Sequence, residues 1–163
     1  MIEAARKALE PPRLIINREQ HQLLAAEQSI RLPPTDLAFY AMMAEHRCAD
    51  MKLLNHRSTD LASQYLHEYA RLVGQHSGDF ERTETALDTD DLKEWFEQRK
   101  SKTNRAIRQA LGDYLARPYL IAACGKRPHT LFGLNVPAEA IRFSDDKLAG
   151  CVNKTGSREN NPT

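Results

Sequence analysis

Residues 99–143 read RKSKTNRAIRQALGDYLARPYLIAACGKRPHTLFGLNVPAEAIRF, and how this stretch is divided decides the fold. Its first part is basic, with five cations and no acid from Arg99 to Arg108 and the first carboxylate at Asp113. Ser101 can cap a helix from Lys102 to Leu111 that Gly112 ends. Ala106, Ile107, Ala110 and Leu111 would form the buried side of that helix, leaving Lys102, Arg105, Arg108 and Gln109 outside. Its second part is apolar: PYLIAAC (118–124) and TLFGL (130–134) read as two strands around a tip of Gly125, Lys126, Arg127, Pro128 and His129. Cations thus fall in two places that one phosphate backbone can reach together, a helix face and a hairpin tip.

Working toward the N-terminus, Thr89, Asp90 and Asp91 start a helix through Leu92, Trp95 and Phe96, the acids suiting the positive end of its dipole. A turn is expected at Arg99–Ser101, between that helix and the basic one. QHSGDFERTE (75–84) reads as a polar loop. Leu61, Tyr65, Leu66, Tyr69, Leu72 and Val73 give an apolar stripe on a helix from about Thr59 to Val73, with Gly74 as its stop. Pro33-Pro34-Thr35-Asp36 starts another, from Asp36 to about His46, with Thr35 as the cap and a broad apolar face. Before it, Leu14-Ile15-Ile16, Leu23-Leu24 and Ile30-Leu32 alternate with polar breaks and read as a small antiparallel meander. The expectation is an α+β fold: a winged helix-turn-helix with an N-terminal antiparallel β-meander and a C-terminal β-hairpin wing. Residues 1–12 are expected as a linker helix or the remnant of something longer (Ile2 to Leu9), stopped by Pro11 and Pro12, residues 13–143 as the domain, and residues 144–163 as a disordered tail of low apolar content.

Length and charge agree. At 163 residues the chain suits one domain with tails. Its net charge of +1 is a cancellation of two blocks. From Asp79 to Glu97 eight acids face only Arg82 and Lys93, and the basic block follows at once. No stretch approaches the ~20 apolar residues of a membrane span and MIEAARKALEPP lacks a signal peptide's apolar core, so a cytoplasmic protein with no membrane partner is expected. Cys48, Cys124 and Cys151 are odd in number and far apart, which predicts reduced thiols and no zinc site.

Chemistry is sparse. His46, Cys48 and His56 have no metal-ligand spacing, His67 and Glu68 are adjacent and point apart on a helix, and Ser101 has no evident base. Trp95, Phe96 and Tyr114 suit the core better than base stacking. No catalytic residue, metal or cofactor is assigned. The candidate nucleic-acid-binding residues are Arg99, Lys100, Lys102, Asn104, Arg105, Arg108, Gln109, Lys126, Arg127 and His129, with Asn104 or Gln109 offering an amide to a base edge. The alternative is a solvated basic face, paired with the acidic block within the chain or across a dimer.

The element order resembles the winged-helix effector domains of OmpR-type regulators, an analogy of fold alone. A closer resemblance rests on IRLPPTDLAFYAMMAEHR (30–47), KSKTNRAIRQALG (100–112) and YLIAACGKRPHTLFGLNVPAEAIRF (119–143). These look like the C-terminal winged-helix region of a family of CRISPR-associated proteins, where it follows a CARF domain that senses cyclic oligoadenylate; full-length relatives include ring nucleases that degrade it. The resemblance covers most of residues 13–143. Two departures stand beside it: nothing here reads as the CARF domain, so its ligand-binding and catalytic residues have no positions to be carried onto, and Thr103 stands where an apolar residue is expected. The resemblance implies a non-catalytic nucleic-acid-binding module of an antiviral defence system, a truncated or split form, with DNA ahead of RNA as ligand. The alternative it leaves is an assembly module that forms a homodimer or docks on a separately encoded CARF partner.

Overall fold

A computed structural model describes residues 11–49, 60–89, 92–126 and 130–144. Strands β1 (Leu14–Asn17), β2 (Gln22–Ala25) and β3 (Gln28–Arg31) form the expected antiparallel meander. Period-2 alternation turns Leu14, Ile16, Leu23, Ala25 and Ile30 inward. The β2–β3 connection is the two residues Ala26 and Glu27, both at positive φ (49° and 64°), the shape Asn-Gly ordinarily supplies. The buried cross-strand pairs, such as Leu23 with Ile30, offset a left-handed cost of ~1–2 kcal/mol per residue.

Helix α1 (Pro34–Cys48) runs through the centre, and every residue from Leu37 to Ala44 is buried. A helix apolar all round must be enclosed, and the sheet, α2 and the later elements enclose it. Thr35 does not cap it: Pro33 holds that position without a side-chain hydrogen bond, and the Thr35 hydroxyl accepts from Arg99 Nη1 at 3.1 Å. Helix α2 (Leu61–Val73) stops at Gly74, whose φ of 88° ends the helix as read.

Further expectations are corrected. The polar stretch 75–84 is largely helix, α3 (Gly78–Thr89), started by the Ser77 hydroxyl accepting the Phe80 N–H at 3.1 Å. Phe80 and Leu87, seven residues apart and so on one face, are its buried residues. The turn expected at Arg99–Ser101 is absent: α4 (Leu92–Ala116) is continuous there, and its break comes at Gly112 (φ 81°, ψ 160°). The polar run stays helical because tertiary partners take its first two cations. Arg99 Nη1 reaches Asp36 at 2.7 Å, and Lys100 pairs with Glu97 at 2.9 Å while its ammonium lies 4.2 Å from the Phe132 ring centre. Ala110, expected inside, is exposed, while Ile107 and Leu111 are buried.

Strands β4 (Ile121–Cys124) and β5 (Leu131–Leu134) form the expected hairpin, packed on α4 through Phe132 against Phe96 (ring centres 5.0 Å apart). Phe96 also meets Phe39 edge-on, and Trp95 meets Phe39 and Tyr65, so the aromatics of α4 fasten it to α1 and α2. Tyr114, expected among them, is exposed beyond the Gly112 break. The chain then returns to its start: β6 (Ile141–Phe143) pairs parallel with β1, giving a mixed four-stranded sheet of order β3-β2-β1-β6.

A buried charge cluster locks this sheet to the helices. Arg18, just after β1 and with its side chain 2% exposed, grips the Glu68 carboxylate of α2 with Nε and Nη2 and reaches Glu45 of α1 at 3.0 Å. Its guanidinium lies 4.3 Å from the ring centre of Phe143 in β6. Arg71 approaches the same two carboxylates, so two cations meet two anions. Cys48, at the end of α1, is disulfide-bonded, which corrects the expectation of reduced thiols. Among the described residues no helix is long and apolar enough to cross a membrane. The architecture is α+β, with four helices, a mixed sheet and a separate hairpin among the described residues.

Candidate nucleic-acid interface

Helix α4 carries seven of the ten candidate residues and sorts them by side. At 100° per residue, Lys102, Gln109, Arg105 and Arg108 fall within an arc of ~120°, and all four are exposed. On the opposite side Phe96, Thr103, Asn104, Ile107 and Leu111 face the core. Lys126, at the hairpin tip, is exposed; Arg127 and His129 lie outside the described residues.

Three candidates have other work. Arg99 is an internal ion-pair partner of Asp36, its side chain only 13% exposed. Burial raises the Asp36 carboxyl above the ordinary range, against the opposing pull of Arg99 and Lys102. Lys100, its side chain 20% exposed, is half occupied by Glu97 and Phe132.

Asn104 is the clearest correction. It is 8% exposed, and its amide is held by the backbone rather than aimed at a base edge: Nδ2 donates to the Ile121 carbonyl at 2.9 Å and Oδ1 accepts the Ile121 N–H at 2.8 Å. β5 covers one edge of β4, and the Asn104 amide stands on the other as a third strand's peptide group would. Thr103 beside it is fully buried, with no partner for its hydroxyl among the described residues.

The clamp sets the hairpin at a fixed distance from α4 and leaves an open groove of about 700 Å³ between them. Its walls are Lys100, Ser101, Asn104, Arg105, Arg108, Gln109 and Asp113 from the helix side, with Ile121 and Ala123 from β4. Three cations and one acid line it, so the field is positive wherever Asp113 does not oppose it. Groove and clamp were not foreseeable from composition: an asparagine amid arginines on a basic helix looks like a ligand contact, and only the long-range meeting of residues 104 and 121 shows otherwise. Asp113 was likewise missed, because Gly112 was read only as a helix stop.

No family model, curated protein or solved structure matches this chain. The functional reading therefore stands on the groove and its charges. Elsewhere, the His46 ring nitrogen Nε2 lies 2.5 Å from Gln64 Oε1, the Glu68 carboxylate faces Arg18, and His56 falls outside the described residues. Among the described residues no three His, Cys, Asp or Glu side chains gather as metal ligands would.

Proposed function

We propose that this chain is a non-catalytic nucleic-acid-binding module with winged-helix logic, in which α4 enters a major groove of DNA and the β4–β5 hairpin is the wing. The observation that carries this reading is the groove between α4 and β4, lined by Lys100, Arg105 and Arg108 and flanked by exposed Lys102 and Lys126. In such a docking the sugar-phosphate strand that separates major from minor groove passes between helix and wing, where these cations stand. Lys102 and Gln109 lie on the outer crest of the helix, where base edges would be met. The resemblance to the winged-helix region of CRISPR-associated CARF proteins supports the same reading and supplies its biological setting, antiviral defence, as part of the proposal.

The test is fluorescence anisotropy of a labelled duplex DNA and a labelled single-stranded RNA at 50 and 200 mM salt. Three to four phosphate contacts predict a log–log salt slope of about −3 to −4 for the duplex. Arg105→Glu with Arg108→Glu should remove the binding while leaving the unfolding transition in place, since both side chains are exposed. No binding to duplex at 50 mM salt rejects the DNA reading, and binding to RNA alone moves it to that polymer.

An assembly role is the second reading, favoured by Leu24 (39% exposed) beside half-buried Ile15 on the outer face of the sheet. A dimeric mass that Leu24→Lys reduces to a monomer, with the arginine changes silent, would support it.

A further inference from the structure

The groove contains one acid, and the fold goes out of its way to put it there. In an unbroken helix residues 108 and 113 stand ~140° apart around the axis and cannot meet. The positive φ of Gly112 breaks the helix and turns the chain so that Asp113 Oδ1 comes within 4.0 Å of Arg108 Nε. Both side chains remain in solvent, Arg108 at 51% and Asp113 at 90% exposure, so neither is needed for the core. The pair sits on the wall of the groove rather than beneath it.

We propose that Asp113 is an internal competitor for Arg108: its carboxylate occupies the guanidinium that a backbone phosphate would otherwise take, and so sets the groove's affinity for nucleic acid. This inference rests on the nucleic-acid reading above. A carboxylate and a phosphate oxygen accept from a guanidinium in the same way, so a phosphate arriving at the Nε edge of Arg108 competes with Asp113 for the same charge. Held at the surface by one long contact, the carboxylate is displaced readily, which suits a module that samples many sites weakly. Gly112 is the positioning residue, because a side chain at φ 81° is strained and the glycine leaves nothing within 4 Å of a would-be Cβ to bar the turn.

The experiment compares the full chain with Asp113→Asn, Arg108→Gln and the double variant, using anisotropy with a labelled 16-base-pair random duplex at 50 and 200 mM salt. Asp113→Asn is expected to bind three- to tenfold more tightly at 50 mM salt, and its gain should fall below twofold in the Arg108→Gln background. Urea melts of all four chains check that the fold is retained. An unchanged affinity for Asp113→Asn, with binding still lost in Arg105→Glu/Arg108→Glu, overturns this inference and leaves the groove reading standing. An equal gain with and without Arg108 also overturns it, since removal of a diffuse negative charge would then suffice. No binding by any of the four chains at 50 mM salt overturns both.

Discussion

Replacing Asn104 by alanine separates a structural clamp from a base-reading side chain, because the two roles predict opposite results. In the folded chain the amide closes two short hydrogen bonds to Ile121, of 2.9 and 2.8 Å, at a site only 8% exposed. Alanine leaves the Ile121 N–H and C=O without a partner on an edge that no strand covers, each at ~1–3 kcal/mol. Water entering from the groove relieves part of that, so a loss of about 2–4 kcal/mol is expected, a large share of a typical domain's stability. Urea unfolding followed by the fluorescence of the lone tryptophan, Trp95, reads it directly. With m of about 2 kcal/mol/M the midpoint should fall by roughly 1–2 M at unchanged m. Asn104→Asp should fare no better, since its carboxylate still accepts the Ile121 N–H but faces the Ile121 carbonyl with a lone pair. A midpoint that stays in place while duplex binding disappears would refute the clamp and return Asn104 to the surface as a ligand contact.

Two further outcomes test the packing. Glu68→Ala should cost about 3 kcal/mol in urea unfolding, the lower end for a broken buried pair, because Arg18 loses its bidentate partner while Glu45 still meets Nη2, whereas Arg18→Met with Glu68→Leu should recover much of that loss. For Asp36, burial raises the folded-state carboxyl above its ordinary value of 3.8. The folded chain therefore holds a proton that the unfolded chain has lost, and this residue's contribution to stability declines as pH rises from 3.8 through the folded value. A carboxyl-directed NMR titration should place the Asp36 midpoint above 3.8, and a lower midpoint would show that the Arg99 pair outweighs desolvation.

Much of the fold was legible where local pattern and tertiary need coincide. The three N-terminal strands follow from alternation, α1 and α2 from broad apolar faces bounded by Pro33 and Gly74, and the hairpin from its apolar strands. What escaped was settled at long range. Ile141–Phe143 has the composition of any short apolar run and becomes a strand only by pairing with residues over a hundred positions earlier. Arg99 and Lys100 looked like a solvated break, and Asp36 and Phe132 make them helix interior. α3 is so acidic that Phe80 and Leu87, its two anchors, were hidden in polar surroundings. On the candidate interface, the exposed arc from Lys102 to Gln109 was readable from helical spacing, while the inward turn of Asn104 and the approach of Asp113 depended on partners that spacing does not reveal.

The parallel pairing of β6 with β1 sets an order of events for a chain made from its N-terminus. The meander can close within a few tens of residues, but β1 keeps an unpaired edge until Ile141 has left the ribosome, and Arg18 waits as long for the Phe143 ring. Closing that contact joins the first and last strands of the sheet across the whole helical layer, the kind of non-local step that slows folding and exposes an edge to other chains meanwhile.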